Sequence, residues 1–215
     1  MLRRGYEGRR SLVLSIDPSE LSDFLEYLER RMEGRNYSCK YSTSSGLKIT
    51  IFGDKEELKD SEAIVRRSYR NFKIVRNPVS NLYRYPSEWL SEHGGVSMSL
   101  LTLSLEVAGL TADWRGDLLL TELEPDEIID LMSELKSLLE EIKYEVKQRK
   151  AREVLVAVAV SSGASPIDVL ELAEEEGFLE KDEDGVWYFR VDPELAIREL
   201  RRKLTGGEEL GFRGD

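Results

Sequence analysis

Two residues of this chain are of the types that most often carry out nucleophilic or acid–base catalysis. Cys39 is the single cysteine and His93 the single histidine among 215 residues. A cysteine nucleophile needs a base, and a metal site or catalytic triad needs more partners than one histidine. Cys39 instead lies in a strand-like segment, and a histidine before Gly94 is typical of the last turn of a helix. We therefore predict no catalytic activity; an enzyme would need carboxylates such as Asp113 and Asp117 to converge beside His93.

A group of five carboxylates could bind a divalent cation. It lies where a long helix is predicted to begin, and acidic side chains stabilise that end of a helix through its dipole. The spacing also lacks the alternating Asp or Asn residues and the glycine of a calcium loop. We interpret the group as a solvated helix start and predict no metal and no cofactor. Its members are Glu122, Glu124, Asp126, Glu127 and Asp130.

Charge is distributed unevenly along the chain. Residues 1–80 carry 16 Lys and Arg against 12 Asp and Glu, a net charge of +4. Residues 81–215 carry 15 against 30, a net charge of −15. A polyanion is attracted to the first part and repelled by the second. The sequence therefore predicts that a bound nucleic acid contacts the N-terminal part.

The N-terminal cations concentrate on one predicted helix and on the chain before the first strand. Arg66, Arg70 and Lys73 follow one another at spacings of four and three, so they lie on one side of a helix. Such a row could neutralise successive phosphates of RNA. The alternative is a cationic helix end that only stabilises the helix dipole. The candidate nucleic-acid-binding residues are Arg3, Arg4, Arg9, Arg10, Arg66, Arg70, Lys73, Arg76 and Arg84.

Recognition of single-stranded RNA by a sheet usually also needs exposed aromatic residues for base stacking. Tyr37 and Tyr41 alternate onto one face of a predicted strand and are the stacking candidates. A KH-type module would instead need a GxxG loop between two helices. The matches at residues 5–8 and 211–214 lie near the chain ends, and we attribute them to chance.

Proline positions and hydrophobic periodicity predict an α+β fold. Five of the six prolines stand where a helix begins, since proline at the first helical position loses no hydrogen bond. In the N-terminal part, strand-like segments at residues 12–16, 37–43 and 47–52 alternate with helices that start near residues 18 and 55. Residues 73–76 could supply a closing strand. This βαββα(β) order is typical of a ferredoxin-like or KH-like sandwich, which we assign to residues 11–80.

Two further units are predicted after this module. Residues 81–148 form a helix-hairpin-helix α+β unit that ends in a long helix from Pro125. Residues 149–204 contain two helices, a short hairpin and a closing helix, an order that resembles a winged-helix unit. The remaining segments are a basic tail at 1–10 and a flexible tail at 205–215.

The winged-helix-like unit is too acidic to favour DNA. Its second helix carries Glu171, Glu174, Glu175 and Glu176, and the expected wing contains three acidic residues at 182–184. A helix that enters a DNA groove needs cations there. We therefore predict that this unit docks a protein.

Three segments carry a family resemblance: IFGDKEELKDSEAIVRRSYRNF, VAGLTADWRGDLLLTELEPDEIIDLMSEL and AVAVSSGASPIDVLELAEEEGFLEKDEDG. With them the chain resembles a family of archaeal proteins of about this size, classified only as a conserved domain of unknown function. The resemblance covers most of residues 11–203 and implies no reaction and no site residues. A thermophilic archaeal source agrees with the composition, since 34% of the residues are charged and Gln148 is the only glutamine.

These observations together predict a cytoplasmic, non-catalytic binding protein. The longest apolar stretch, residues 154–160, is far shorter than the roughly 20 residues that cross a membrane. The leading prediction is that the basic N-terminal module binds RNA or a ribonucleoprotein while the acidic units dock a protein. The alternative is a protein-binding scaffold or oligomerisation factor without nucleic-acid affinity, whose basic side chains meet an acidic surface, including that of a second copy.

Overall fold

The structure is a computed structural model that describes residues 8–183 and 185–205. These residues form a mixed α+β protein with eight α-helices and three small antiparallel sheets. They fall into two compact units, the first ending at Arg76 and the second starting at Asn77. Residues 77–80 carry no charge, so this division also separates the basic from the acidic part of the sequence.

The first unit has the element order βαββα. Its strands form one antiparallel sheet in the order β1-β3-β2, so β3 is central and β1 and β2 lie at the edges. A short 3-10 turn at Pro18–Glu20 precedes the first helix. The elements are β1 (Gly8–Leu14), α1 (Leu21–Arg31), β2 (Tyr37–Ser42), β3 (Gly46–Gly53) and α2 (Lys55–Arg76).

Side-chain caps explain where the helical segments of this unit begin. Asp17 Oδ1 accepts a hydrogen bond from Ser19 N over 2.9 Å, which satisfies a donor at the start of the 3-10 turn. Asp54 Oδ1 accepts from Glu57 N over 2.9 Å, and Glu57 Oε2 accepts from Asp54 N over 2.8 Å. This reciprocal pair is a capping box, and it sets the start of α2.

Alternating side chains of the strands bury one face of the sheet beneath α2. Leu47, Ile49 and Ile51 point to this face and have no exposed surface. α1 packs on α2 through aromatic rings, with the Phe24 and Phe72 centroids 5.2 Å apart in an edge-to-face arrangement. Burial of each such side chain stabilises the unit by roughly 1.5–3 kcal/mol.

Residues 73–76 are helical, so the predicted closing strand was wrong. α2 runs for 22 residues and includes them. Val65, Phe72 and Val75 are buried along this helix. Their spacings of seven and three residues keep them on one helical face, and burial of Val75 therefore favours continuation of the helix. Within the described residues, the sheet of the first unit therefore has three strands.

The second unit contains the remaining elements. One antiparallel sheet has the strand order β4-β6-β5, and β7 pairs with β8 in a separate hairpin. Three of its helices begin at a proline, as predicted. The elements are β4 (Tyr83–Pro86), α3 (Ser87–His93), α4 (Met98–Ala108), β5 (Asp113–Arg115), β6 (Leu118–Thr121), α5 (Pro125–Ile142), α6 (Arg149–Ser162), α7 (Pro166–Glu175), β7 (Leu179–Lys181), β8 (Trp187–Phe189) and α8 (Pro193–Leu204).

α6 is the centre of the second unit. It packs against α4, α5, α7 and α8. Residues 154–159 are all buried, as expected for a helix that is apolar around its whole circumference. The elements predicted as a second and a third unit therefore share this helix within one compact unit.

Candidate nucleic-acid interface

The face of the first sheet opposite α2, which we call the open face, is basic. Residues directly opposite each other on antiparallel strands share a face, so the register assigns its members to three rows across the sheet. Most of these side chains are exposed. The rows are Val13, Lys48 and Lys40; Ser11, Thr50 and Ser38; and Arg9 with Phe52.

Two lysines lie directly opposite each other on the open face. Lys40 on β2 and Lys48 on β3 are register partners, which places their Cβ atoms roughly 4.5–5.5 Å apart. Like charges at this spacing destabilise a sheet. None of the three strands contains an Asp or Glu, and neither lysine has an ion-pair partner within residues 8–183 and 185–205. An anion bound between the two ammonium groups would remove their repulsion.

The other side chains of the open face suit an extended polyanion. Ser11 Oγ and Thr50 Oγ1 share a hydrogen bond of 3.1 Å, and hydroxyl groups of this kind can donate to phosphate oxygens. Arg9 is exposed and pairs in register with Phe52, a partly exposed aromatic residue. The face thus combines three cations with hydroxyl donors and one ring.

Most of the candidate cations on α2 are held in ion pairs. Glu62 binds both Arg10 of β1 and Arg66, whose Nη2 lies 2.8 Å from Glu62 Oε1. Lys73 Nζ lies 2.5 Å from Glu20, and Arg76 Nη2 lies 2.5 Å from Asp23. Four of the predicted phosphate contacts are therefore already paired with three carboxylates, and these seven groups together carry a net charge of only +1.

The remaining candidate cations belong to different segments of the chain. Arg70 is exposed on α2 and has no ion pair among the residues that the structure describes. Arg84 belongs to β4 of the second unit, where its Nη2 donates to Asn77 O over 3.2 Å. Arg3 and Arg4 lie outside the described residues. Of the predicted cations, Arg9 is the one that the structure places on the open face.

The stacking candidates share one face, but not the open face. Tyr37 and Tyr41 are register partners of Ile51 and Leu47, whose side chains point to the buried side of the sheet. Both tyrosines are partly buried there, and desolvation raises the pKa of Tyr37. The face that carries Lys40 therefore presents neither ring.

Glu62→Gln should make the stability of the protein less dependent on pH. Hydrogen bonds from Arg10 and Arg66 hold the pKa of Glu62 below its ordinary value. Because the pKa is lower in the folded state, the stabilisation is present at neutral pH and is lost as the pH falls through the folded-state pKa. We expect Glu62→Gln to cost no more than about 1 kcal/mol at pH 7 and less than that at pH 3.

Urea unfolding at the two pH values measures this difference. Asp60→Asn is the matched control, because Asp60 is an exposed acid on the same helix without an ion pair among the described residues. A pH dependence in Glu62→Gln equal to that of the unsubstituted protein would contradict the prediction.

Cys39 and His93, the two residues of types common in catalysis, lie in a strand and at the end of a helix. Cys39 lies in β2, as predicted, and desolvation raises the pKa of its thiol, which disfavours the reactive thiolate. His93 ends α3, where Gly94 N donates to Leu90 O over 3.0 Å. The imidazole stacks on Trp89 with ring centroids 4.1 Å apart. Among the described residues, no group of three or more His, Cys, Asp and Glu could hold a metal ion.

The five-carboxylate group is a helix start, as the sequence predicts. Glu124 N donates to Glu127 Oε2 over 2.7 Å, and the reverse hydrogen bond completes a capping box at the start of α5. Glu122 instead accepts a hydrogen bond from Thr111 N over 2.8 Å, outside the helix. The predicted acidic surface of α7 is exposed, and its role in docking a protein stays a prediction.

Sequence reasoning missed Lys40 and Lys48. The signal was the hairpin between the strands predicted at residues 37–43 and 47–52, because the position of its turn fixes which residues pair. The turn observed at residues 43–45 places Lys40 opposite Lys48 on one face, with Ser38 opposite Thr50 beside them. A turn one residue later, at 44–46, would have paired Lys40 with Thr50 instead. A search for runs of positive charge does not find such a pair, since its members are eight positions apart.

The fold and this surface define a two-unit α+β protein with a basic N-terminal sheet. A family model of an uncharacterised protein conserved in archaea (DUF2067) matches residues 17–198. The chain belongs to this family, which confirms the resemblance seen in the sequence.

No curated protein matches the chain. A chain of the crystal structure of the a/eIF2alpha-aDim2p-rRNA complex from Pyrococcus horikoshii OT3 is 10% identical, and the match covers 80% of this chain and 97% of that one. The TM-score is 0.21. No single described helix is long and apolar enough to span a membrane; α6 and α7 meet that test only as a pair bent by 110°, and α6 is a buried helix.

Proposed function

We propose that the protein is a cytoplasmic, non-catalytic RNA-binding protein and that the open face of its first unit contacts the RNA. The observation that carries this proposal is the directly opposed pair Lys40 and Lys48 on strands without any acidic residue. An arrangement that costs stability is expected where function requires it. A phosphate bound between the lysines would offset their repulsion.

The surroundings of the lysine pair favour a nucleic acid over an acidic protein. Arg9 and the lysines lie at opposite ends of the open face, with the hydroxyl groups of Ser11 and Thr50 between them. Cations and hydroxyls along one line suit successive phosphates and sugars. Phe52 adds a partly exposed ring against which an unpaired base can stack.

The rest of the chain supports the assignment to the first unit. Residues 77–215 carry the net charge of −15, which repels phosphate. The first unit has the antiparallel strand order β1-β3-β2 and two helices on one face, which supports a ferredoxin-like arrangement without a fourth strand. A sheet of this kind leaves its other face accessible to RNA. Arg70 could extend the contact beyond the sheet.

Binding to single-stranded RNA should depend strongly on salt. Three phosphate contacts predict a slope of about −2 for the logarithm of affinity against the logarithm of salt concentration. Affinity should then fall about 20-fold between roughly 50 mM and 200 mM salt. Fluorescence anisotropy with a labelled oligonucleotide of about 20 nucleotides measures both values, at concentrations suited to a dissociation constant of about 10⁻⁴–10⁻⁶ M.

Competition with poly-glutamate separates RNA binding from the protein-binding alternative. If RNA is the ligand, poly-glutamate of equal charge should displace it poorly, because a peptide carboxylate chain matches neither the hydroxyl row nor the ring of Phe52. Equal displacement would favour an acidic protein partner. Absence of RNA binding at about 50 mM salt would overturn the proposal.

A further inference from the structure

β1 is an edge strand whose outer side is unpaired within the described part of the first unit. The sheet order β1-β3-β2 leaves this side without a strand, and the segment that could have closed it is part of α2. None of the described backbone hydrogen bonds outside the sheet ladders involves residues 8–14. Four of the seven residues are exposed, and the exposed fraction of Val13 is 63%. An exposed edge of this kind is a template for another strand.

We propose that the protein forms a homodimer in which β1 pairs antiparallel with β1 of a second copy. This proposal does not depend on RNA binding. β1 spans Gly8–Leu14, so Ser11 is its central residue. A two-fold axis at Ser11 pairs all seven residues of one strand with all seven of the other, and it keeps the open faces of both copies on one side.

The sequence of β1 is complementary to itself in this register. Arg9 lies opposite Val13 of the partner subunit, and Arg10 lies opposite Leu12 of the partner subunit. Each exposed Val13 is then covered by the aliphatic stem of an arginine, which removes apolar surface from water. No arginine faces another arginine.

Neighbouring registers are less favourable. A shift that centres the axis on Arg10 places the two Arg10 side chains opposite each other, and like charges there are destabilising. A shift that centres it on Leu12 leaves Arg9 beyond the paired region and Val13 opposite Ser11. The register centred on Ser11 therefore combines full strand overlap with separated charges. It joins two sheets into one of six strands and places their basic faces side by side.

Two opposite substitutions at Val13 test this register. Val13→Arg places an arginine opposite Arg9 of the partner subunit twice in each dimer, whereas Val13→Glu places a carboxylate there. Sedimentation velocity without RNA, at protein concentrations up to about 100 μM, should show a dimer for the unsubstituted protein and for Val13→Glu. Val13→Arg should raise the dimer dissociation constant at least tenfold.

A charge swap is the decisive control. The double variant Arg9→Glu with Val13→Arg pairs Glu with Arg across the interface and should restore the dimer. Circular dichroism and thermal unfolding of each variant distinguish loss of pairing from loss of folding. Three results would each overturn the homodimer: a monomeric unsubstituted protein, equal masses for the two Val13 variants, or failure of the charge swap to restore the dimer. If the unsubstituted protein is a monomer, a strand of another protein becomes the alternative partner for the β1 edge. Because this assay contains no RNA, its outcome is independent of whether the open face binds RNA.

Discussion

Lys40→Glu is expected to strengthen the fold while weakening RNA binding. The substitution replaces two opposed ammonium groups with an ion pair between strands β2 and β3, which should stabilise the protein by roughly 0.2–1 kcal/mol. The same carboxylate repels phosphate at the centre of the proposed site. We expect RNA affinity at about 50 mM salt to fall at least tenfold and the salt slope to become shallower by about 0.7. Urea unfolding and fluorescence anisotropy measure the two effects on one sample.

The opposite signs of these effects separate a binding role from a structural one. Lys59→Glu is the matched control, because Lys59 is exposed on α2, which covers the other face of the sheet. It changes the net charge equally and should alter affinity less than about threefold. The double variant Lys40→Glu, Lys48→Glu places two carboxylates opposite each other and so restores like-charge repulsion. It should lack the stability gained by Lys40→Glu alone and should bind RNA still more weakly. A Lys40→Glu variant that is less stable, or that keeps its RNA affinity, would contradict the proposed site.

Gly46→Ala is expected to destabilise the first unit by about 3 kcal/mol or more. Gly46 begins β3 with φ +77°, a conformation that L residues adopt at a cost. A Cβ atom at Gly46 would also lie 2.4 Å from the carbonyl oxygen of Leu14. That oxygen belongs to the backbone at the end of β1, so relief of the clash requires the paired strands β1 and β3 to separate.

Gly116→Ala isolates the conformational part of this cost. Gly116 lies in the turn between β5 and β6 with φ +66°, and a Cβ there would have no atom within 4 Å. We expect a loss of about 1 kcal/mol from the backbone conformation alone. Urea unfolding curves of both variants give the comparison. Equal losses would show that the close approach to Leu14 has no energetic consequence.

Local structure was predictable because its causes are local. Asp54 and Glu57 are three positions apart, which is the spacing of a capping box. A helix can begin at a proline such as Pro166 because the first helical position needs no N–H donor. The error at residues 73–76 has a tertiary cause, since burial of Val75 beneath the rest of the unit extends α2. The charges of Arg10 and Glu62 are visible in the sequence, but their ion pair joins residues 52 positions apart and needs β1 beside α2.

The sequence by itself determined the βαββα order of the first unit, the division of charge near residue 77 and the absence of acidic residues from the first three strands. Only the tertiary structure decided which cations remain unpaired. It joined Arg10, Lys73 and Arg76 to carboxylates of other segments and left Lys40 opposite Lys48. The physical reason is that charge interactions depend on distance in space, which helix packing and strand register set after the chain has folded.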